Sequence, residues 1–163
     1  MEVRLLDVLR QEAAACASLL ASARAIQQAL FAADTQGVER ASRQQLKTLA
    51  TLHRIELARR ALLVAWADRH GMAASTITVA DVAARAEAAL GEELIRQAQV
   101  IAGQLAELYL VNQCNKSVVD VELGLRRALW RYLAGREGTP GVYGPTGSLS
   151  SAQGGGHLVE RQV

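Results

Sequence analysis

Proline is almost missing from this chain of 163 residues, which has two, and aromatic side chains make up 4% of it. Both prolines, Pro140 and Pro145, lie near the C-terminal end, so nothing before residue 140 carries the residue that most effectively breaks a helix. Cysteine is equally sparse. Cys16 and Cys114 stand far apart with no CxxC pair and no histidine at ligand spacing, which excludes a disulfide framework and a zinc knuckle and reads both as small core hydrophobes. No apolar run reaches the length of about 18 residues that a membrane span needs, and the opening Met1-Glu2-Val3-Arg4-Leu5-Leu6-Asp7 lacks the uninterrupted apolar stretch of a signal peptide. A cytoplasmic chain with no membrane insertion is the expectation. Net charge is only +2, too little to announce nucleic acid. What is abundant is alanine, 30 residues, and leucine, 23, a composition that belongs to helices with small and aliphatic cores.

The spacing predicts three long helices. Leu6, Leu9, Ala13, Cys16, Leu20 and Ala23 fall in alternating steps of three and four, with Leu30 in phase and Leu5, Leu19 and Ile26 beside them, giving a helix over 4–33. Asp34-Thr35-Gln36-Gly37 breaks it and can cap a second helix over 36–70, whose apolar stripe is Leu46, Leu49, Leu52, Ile55, Leu62, Leu63 and Trp66 and which stops at Gly71. So short a link makes an antiparallel hairpin the natural arrangement. The span 38–70 holds seven basic residues against three acids, read as a solvated basic face. Thr78 can cap a short connecting helix over 79–90, and the third long helix starts at Glu92. Its first face, Leu94, Ala98, Ile101, Leu105 and Leu108, meets Asn112 and Asn115 in the same phase. The apolar residues then re-phase to Val111, Cys114, Val118, Val121, Leu125, Leu129 and Tyr132, so one face can pack on the hairpin while another is left over. The fold expected is all-α: an antiparallel hairpin plus a third long helix in an elongated coiled-coil-like bundle over residues 1–134, then a flexible Gly/Pro/Ser-rich tail over 135–163.

Chemistry is scarce. The tail glycines are followed by no Gly-Lys-Ser/Thr, so no phosphate loop is present. His53 and Glu56 lie three apart on a helix, but the inward glutamates a di-iron centre requires on neighbouring helices are missing. His53, His70 and His157 are scattered, and no Ser, Cys or Asp stands where it would be activated as a nucleophile. The expectation is no enzyme, no metal and no cofactor. Gly135, Gly138, Gly141, Gly144 and Gly147 recur every third residue, but so few triplets on a helical body cannot hold a collagen helix. They lead instead into Val142-Tyr143-Gly144-Pro145-Thr146-Gly147, where one aromatic in a Gly/Pro-rich tail is either exposed by accident or kept as an anchor for a partner. Trp130, Tyr132 and Leu133 raise the same question at the end of the third helix, with packing against the hairpin as the alternative.

The whole chain resembles the flagellar export chaperones of the FlgN-like family. Three features carry the resemblance: three long helices without an enzyme motif, the segment Val111-Asn112-Gln113-Cys114-Asn115-Lys116 leading into an amphipathic run through Leu133, and the tail Tyr143-Gly144-Pro145-Thr146-Gly147. The family's tail reads Tyr-Gly-x-x-Gly, often with Asp before the second glycine, where this chain has Thr146. The resemblance implies a chaperone for hook-associated, hook–filament junction proteins (FlgK-like and FlgL-like clients). It would hold their C-terminal helical segments by helix-in-groove contact, prevent premature polymerisation and deliver them to the export gate. The client contacts it implies are Val118, Val121, Leu125, Leu129, Trp130, Tyr132 and Leu133, with Arg126, Arg127 and Arg131 as a polar rim. Tyr143, with Gly144, Pro145 and Gly147, would dock on the export gate protein FlhA. Two other readings stay open: a homo-oligomeric coiled-coil scaffold that covers its left-over face with a second copy, and a chaperone of a related type III secretion system.

Overall fold

The structure, a computed structural model, describes the backbone of residues 1–136 and side chains as far as residue 134. It consists of α1 (Glu2–Phe31), α2 (Thr35–Arg69), the short α3 (Val79–Ala83) and α4 (Ala88–Arg136), with no strand among the described residues. The all-α hairpin with a third long helix and a short connecting helix is therefore what forms. The chain divides into two units, Met1–Val119 and a second that begins at Asp120.

Within the first unit, three pairs fix the hairpin as antiparallel. Trp66 Nε1 donates to Glu2 Oε1 at 2.9 Å, Arg59 Nε lies 2.8 Å from Glu12 Oε2, and the Ser18 and Thr48 hydroxyls are 3.5 Å apart. As position rises along α1 it falls along α2. The early part of α4 runs the other way, parallel to α1: Arg10 reaches Glu93 at 3.5 Å, Arg24 pairs with Glu107, and Asn115 Nδ2 donates to the Ala23 carbonyl at 2.9 Å. Helix α1 thus has a neighbour on two sides, and 12 of its 30 residues are buried against 4 of the 35 in α2. The expected α1 seam is correct, with Leu6, Leu9, Ala13, Cys16, Leu20 and Ala23 all buried.

Both long helices of the hairpin end on a residue in the left-handed region followed by a bond back to the carbonyl five residues earlier. At the end of α1, Ala33 N–H bonds the Leu30 carbonyl and Asp34 N–H the Ala29 carbonyl, with Ala33 in the left-handed region at φ 52°. At the end of α2, Gly71 takes that conformation at φ 63° and Met72 N–H bonds the Ala67 carbonyl. Asp34 then caps α2, its Oδ1 accepting from Gly37 N–H at 2.9 Å. A Cβ on Gly37 would stand 2.3 Å from Asp34 Oδ2, so glycine keeps the space that the capping carboxylate occupies.

The core gathers where α1, α2, α3 and the start of α4 meet: Leu5, Leu9 and Cys16 with Leu63 and Trp66, Val82, and Leu94 and Ile101. Each side chain of this size contributes about 1.5–3 kcal/mol by leaving water. Trp66 is its hub, 2% exposed, with His70 stacked on its ring at 3.8 Å. Its own backbone amide and then the Trp66 indole, each donating to the carboxylate, hold Glu2 at a pKa of about 2. Glu12 is the opposite case. Burial pushes its carboxyl up despite the Arg59 guanidinium, and that pair sits close without hydrogen-bond alignment.

Five expectations need correction. Helix α3 stops at Ala83 rather than reaching residue 90, and α4 starts at Ala88 rather than Glu92. The end of α3 lies so close to the first turns of α4 that a Cβ on Gly91 would be 2.5 Å from the Ala83 carbonyl, so the chain must turn before that point. On α2, Leu46 and Leu49 are exposed rather than part of the buried stripe, because Thr48 is the residue turned toward α1 at that level. Two residues further round the helix is about 200°, which sends Leu46 to the opposite side. Of the two cysteines only Cys16 is buried, where burial first and then Glu12 raise its thiol pKa, while Cys114 is exposed. Leu105 and Asn112, in phase with Leu94, are exposed as well, so the α4 seam is interrupted before Asn115.

Candidate partner-binding surface

Helix α4 changes character along its length. Leu94 is fully buried, Ile101 is 8% exposed, and Asn115, also buried, ends the seam with its bond to the Ala23 carbonyl. An amide at that position fixes the register of α4 on α1, because sliding by one residue would leave it buried without that acceptor. From Asp120 to Ala134 every residue is exposed.

That exposed stretch is not polar. Val121, Leu125, Leu129, Trp130, Tyr132 and Leu133 all present large apolar surface, and Val118, just before it, is half-buried. At about 100° per residue, Val118, Val121, Leu125, Leu129, Tyr132 and Leu133 fall within about a third of the circumference and form one stripe. Trp130 does not share it. It lies about 140° round from Leu125, on the side that also carries Leu123, one heptad earlier. Leu123, 44% exposed, belongs to this surface and was missed by the sequence reading; its seven-residue spacing from Trp130 was the available signal. A helix apolar on two sides is one that becomes buried when it has partners.

Two arginines of this stretch bond within the helix. Arg126 Nε and Nη2 both donate to Glu122 Oε1, at 3.1 and 3.0 Å, and Arg131 Nε donates to the Arg127 carbonyl at 3.4 Å. Such pairs, one turn apart on an exposed helix, contribute a few tenths of a kcal/mol each and keep it helical without a neighbour. Gly124 has open space around its Cβ position, so it makes no close approach here.

The arrangement suits recognition of a helix. No group of three His, Cys, Asp or Glu that could hold a metal occurs among the described residues, and no helix among them is long and apolar enough to cross a membrane. The docking residues proposed in the tail, Tyr143, Gly144, Pro145 and Gly147, and the tail boundary at 135, lie outside the residues whose side chains are described.

The FlgN protein family model matches residues 1–151. The chain belongs to the FlgN family. Searches of curated proteins and of solved structures returned no match. FlgN proteins are flagellar export chaperones, so this chain is one, and the binding of flagellar client proteins follows at that level. The matched span takes in all four helices, the segment Val111-Asn112-Gln113-Cys114-Asn115-Lys116 and Tyr143-Gly144-Pro145-Thr146-Gly147, so all three FlgN-like features read from the sequence lie inside it.

Proposed function

We propose that this FlgN-family chaperone works in the cytoplasm on hook–filament junction proteins of the FlgK-like and FlgL-like kind. It holds their C-terminal helical segments on the distal part of α4. What carries the reading is the run of exposed apolar residues from Val121 to Leu133 on a helix whose earlier part is packed. Terminal helical segments that polymerise outside the cell would associate prematurely inside it, and a chaperone helix occupying the same apolar stripe prevents that. Leu125 and Leu129 form the centre of the contact, with Tyr132 and Leu133 at its end, and Trp130 with Leu123 engages a second element of the client. The chain performs no catalytic step and needs no cofactor. Delivery then falls to the tail, where Tyr143, with Gly144, Pro145 and Gly147, docks the loaded chaperone on the export gate protein FlhA; a short linear segment suits a hand-over because it binds and leaves quickly.

Two titrations of the full chain test this, one with a client's C-terminal segment and one with the cytoplasmic part of FlhA. Tyr143→Ala should leave client affinity within about twofold and weaken FlhA binding at least about tenfold, a difference near 1.4 kcal/mol. Equal loss of both would place the tail in the client site. Absence of client binding by the unaltered chain at about 50 μM would overturn the reading.

A further inference from the structure

The outer side of α2 carries a second apolar face that the client reading does not use. Leu46, Leu49 and Leu57 are 67%, 46% and 55% exposed, and apolar side chains gathered on one surface, unlike single scattered ones, mark an interaction site. With the exposed His53 they lie within about 80° of arc over three turns, the i, i+3, i+7, i+11 pattern of a helix awaiting a neighbour. At this level of α2 the hairpin contact is made by Thr48, about 160° round from Leu46, while further along the buried Leu63 lies only about 40° from the direction of Leu49, so the leucine face borders the hairpin contact.

Charge says what the neighbour is. Lys47 and Arg54, one heptad apart, line one flank of the leucines, Arg60 continues the stripe, and the single acid beside the face is Glu56 on the other flank, which leaves three cations against one carboxylate. All three are exposed and none has an ion pair among the described residues, whereas Arg43 is held by Glu39, Arg40 by Asp34 and Arg59 by Glu12. A second copy of this chain is a poor occupant. Pairing two α2 faces about a two-fold axis would set the flank of Lys47 and Arg54 against its own equivalent, and the distal part of α4, with Arg126, Arg127 and Arg131 against Asp120 and Glu122, offers no acidic flank to receive it.

We propose that the Leu46-Leu49-Leu57 face of α2 is a docking surface for an acidic amphipathic helix of a different protein, with that helix's carboxylates on Lys47, Arg54 and Arg60. The site is separate from the distal α4 stripe, so the chaperone engages two helical partners on two surfaces.

The test uses the full chain and two synthetic helices of about four heptads, with leucine at the seam positions and either glutamate or lysine at every flanking position. Like charges keep each probe from pairing with itself. The glutamate probe should bind saturably and the lysine probe at least about tenfold more weakly. Lys47→Glu with Arg54→Glu should invert that order, and Leu49→Glu should abolish binding of the glutamate probe; both sites are exposed, so circular dichroism should be unchanged. Leu125→Glu should leave the probe's affinity unaltered. Equal binding of the two probes, binding of neither, or loss through Leu125→Glu with Leu49→Glu neutral would overturn the proposal. So would a concentration-dependent dimer in sedimentation that Leu49→Glu dissolves, which would make a second copy the occupant. Client binding is read separately with the client's own segment, so failure here leaves the distal α4 reading standing.

Discussion

Residues 94–115 and 120–134 belong to one continuous helix, yet they live in different surroundings. The first stretch puts Leu94, Ile101 and Asn115 away from water; the second puts Val121, Leu125, Leu129 and Trp130 into it. Their compositions are equally apolar, so hydropathy does not separate them. Phase does. Leu94, Ile101 and Asn115 share one phase, and the apolar residues after Asn115 fall on another. A helix can therefore be anchored by one part of its sequence and presented by another, and Asn115 marks where one becomes the other.

The largest expected effect breaks the packed side. Trp66→Ala removes the hub shared by α1, α2 and the α3 region, together with the indole bond to Glu2. It should cost about 3–5 kcal/mol in chemical denaturation, enough to threaten the fold. A loss under about 1 kcal/mol would mean the core is not organised around Trp66. Asn115→Ala sharpens the boundary. Losing one buried amide-to-carbonyl bond should cost about 1 kcal/mol, read as a shift of the denaturation midpoint at constant slope. No shift would show that the asparagine does not hold α4 to α1.

The smallest effect is on pH dependence. Because Glu2 is held at about 2, below its ordinary value of 4.5, its stabilisation is complete above about pH 5 and disappears as pH falls toward 2. Glu12 has the opposite sign. Its raised pKa favours the protonated form in the fold, so its contribution is present at low pH and is lost as pH rises above the ordinary carboxylate range. Trp66→Phe keeps an aromatic ring but removes the second cause of the Glu2 shift, so melting temperature should fall less steeply between pH 5 and 2. An unchanged slope would remove Trp66 from the account of Glu2.

Much of the fold is written in local patterns. The α1 seam, the Asp34 cap, the Thr78 cap, whose hydroxyl accepts from Asp81 N–H at 3.3 Å, and the stop at Gly71 are all short-range signals, and each forms as read. What could not be read depends on which face meets a neighbour. Leu46 and Leu49 look like core because they are spaced like core, but the residues of α2 that are buried are Thr48, which meets Ser18 across the hairpin, and further along Leu63, Trp66 and Ala67. The early end of α3 is likewise set by the approach of Ala83 to Gly91, a contact between elements. In the candidate surface the stripe from Val121 to Leu133 is visible in the sequence as a change of phase, whereas the side of the helix that Trp130 shares with Leu123 shows only when both are placed on it.

The most direct measurement of the central claim is calorimetric titration of the chain and its Leu125→Glu variant with the C-terminal helical segment of a hook–filament junction protein, with thermal denaturation alongside. The unaltered chain should bind saturably, one to one. The variant should lose at least about a hundredfold in affinity, with stability unchanged within about 0.5 kcal/mol because Leu125 packs against nothing it would lose. Client binding that persists unchanged in the variant would contradict it and place the client elsewhere on the molecule.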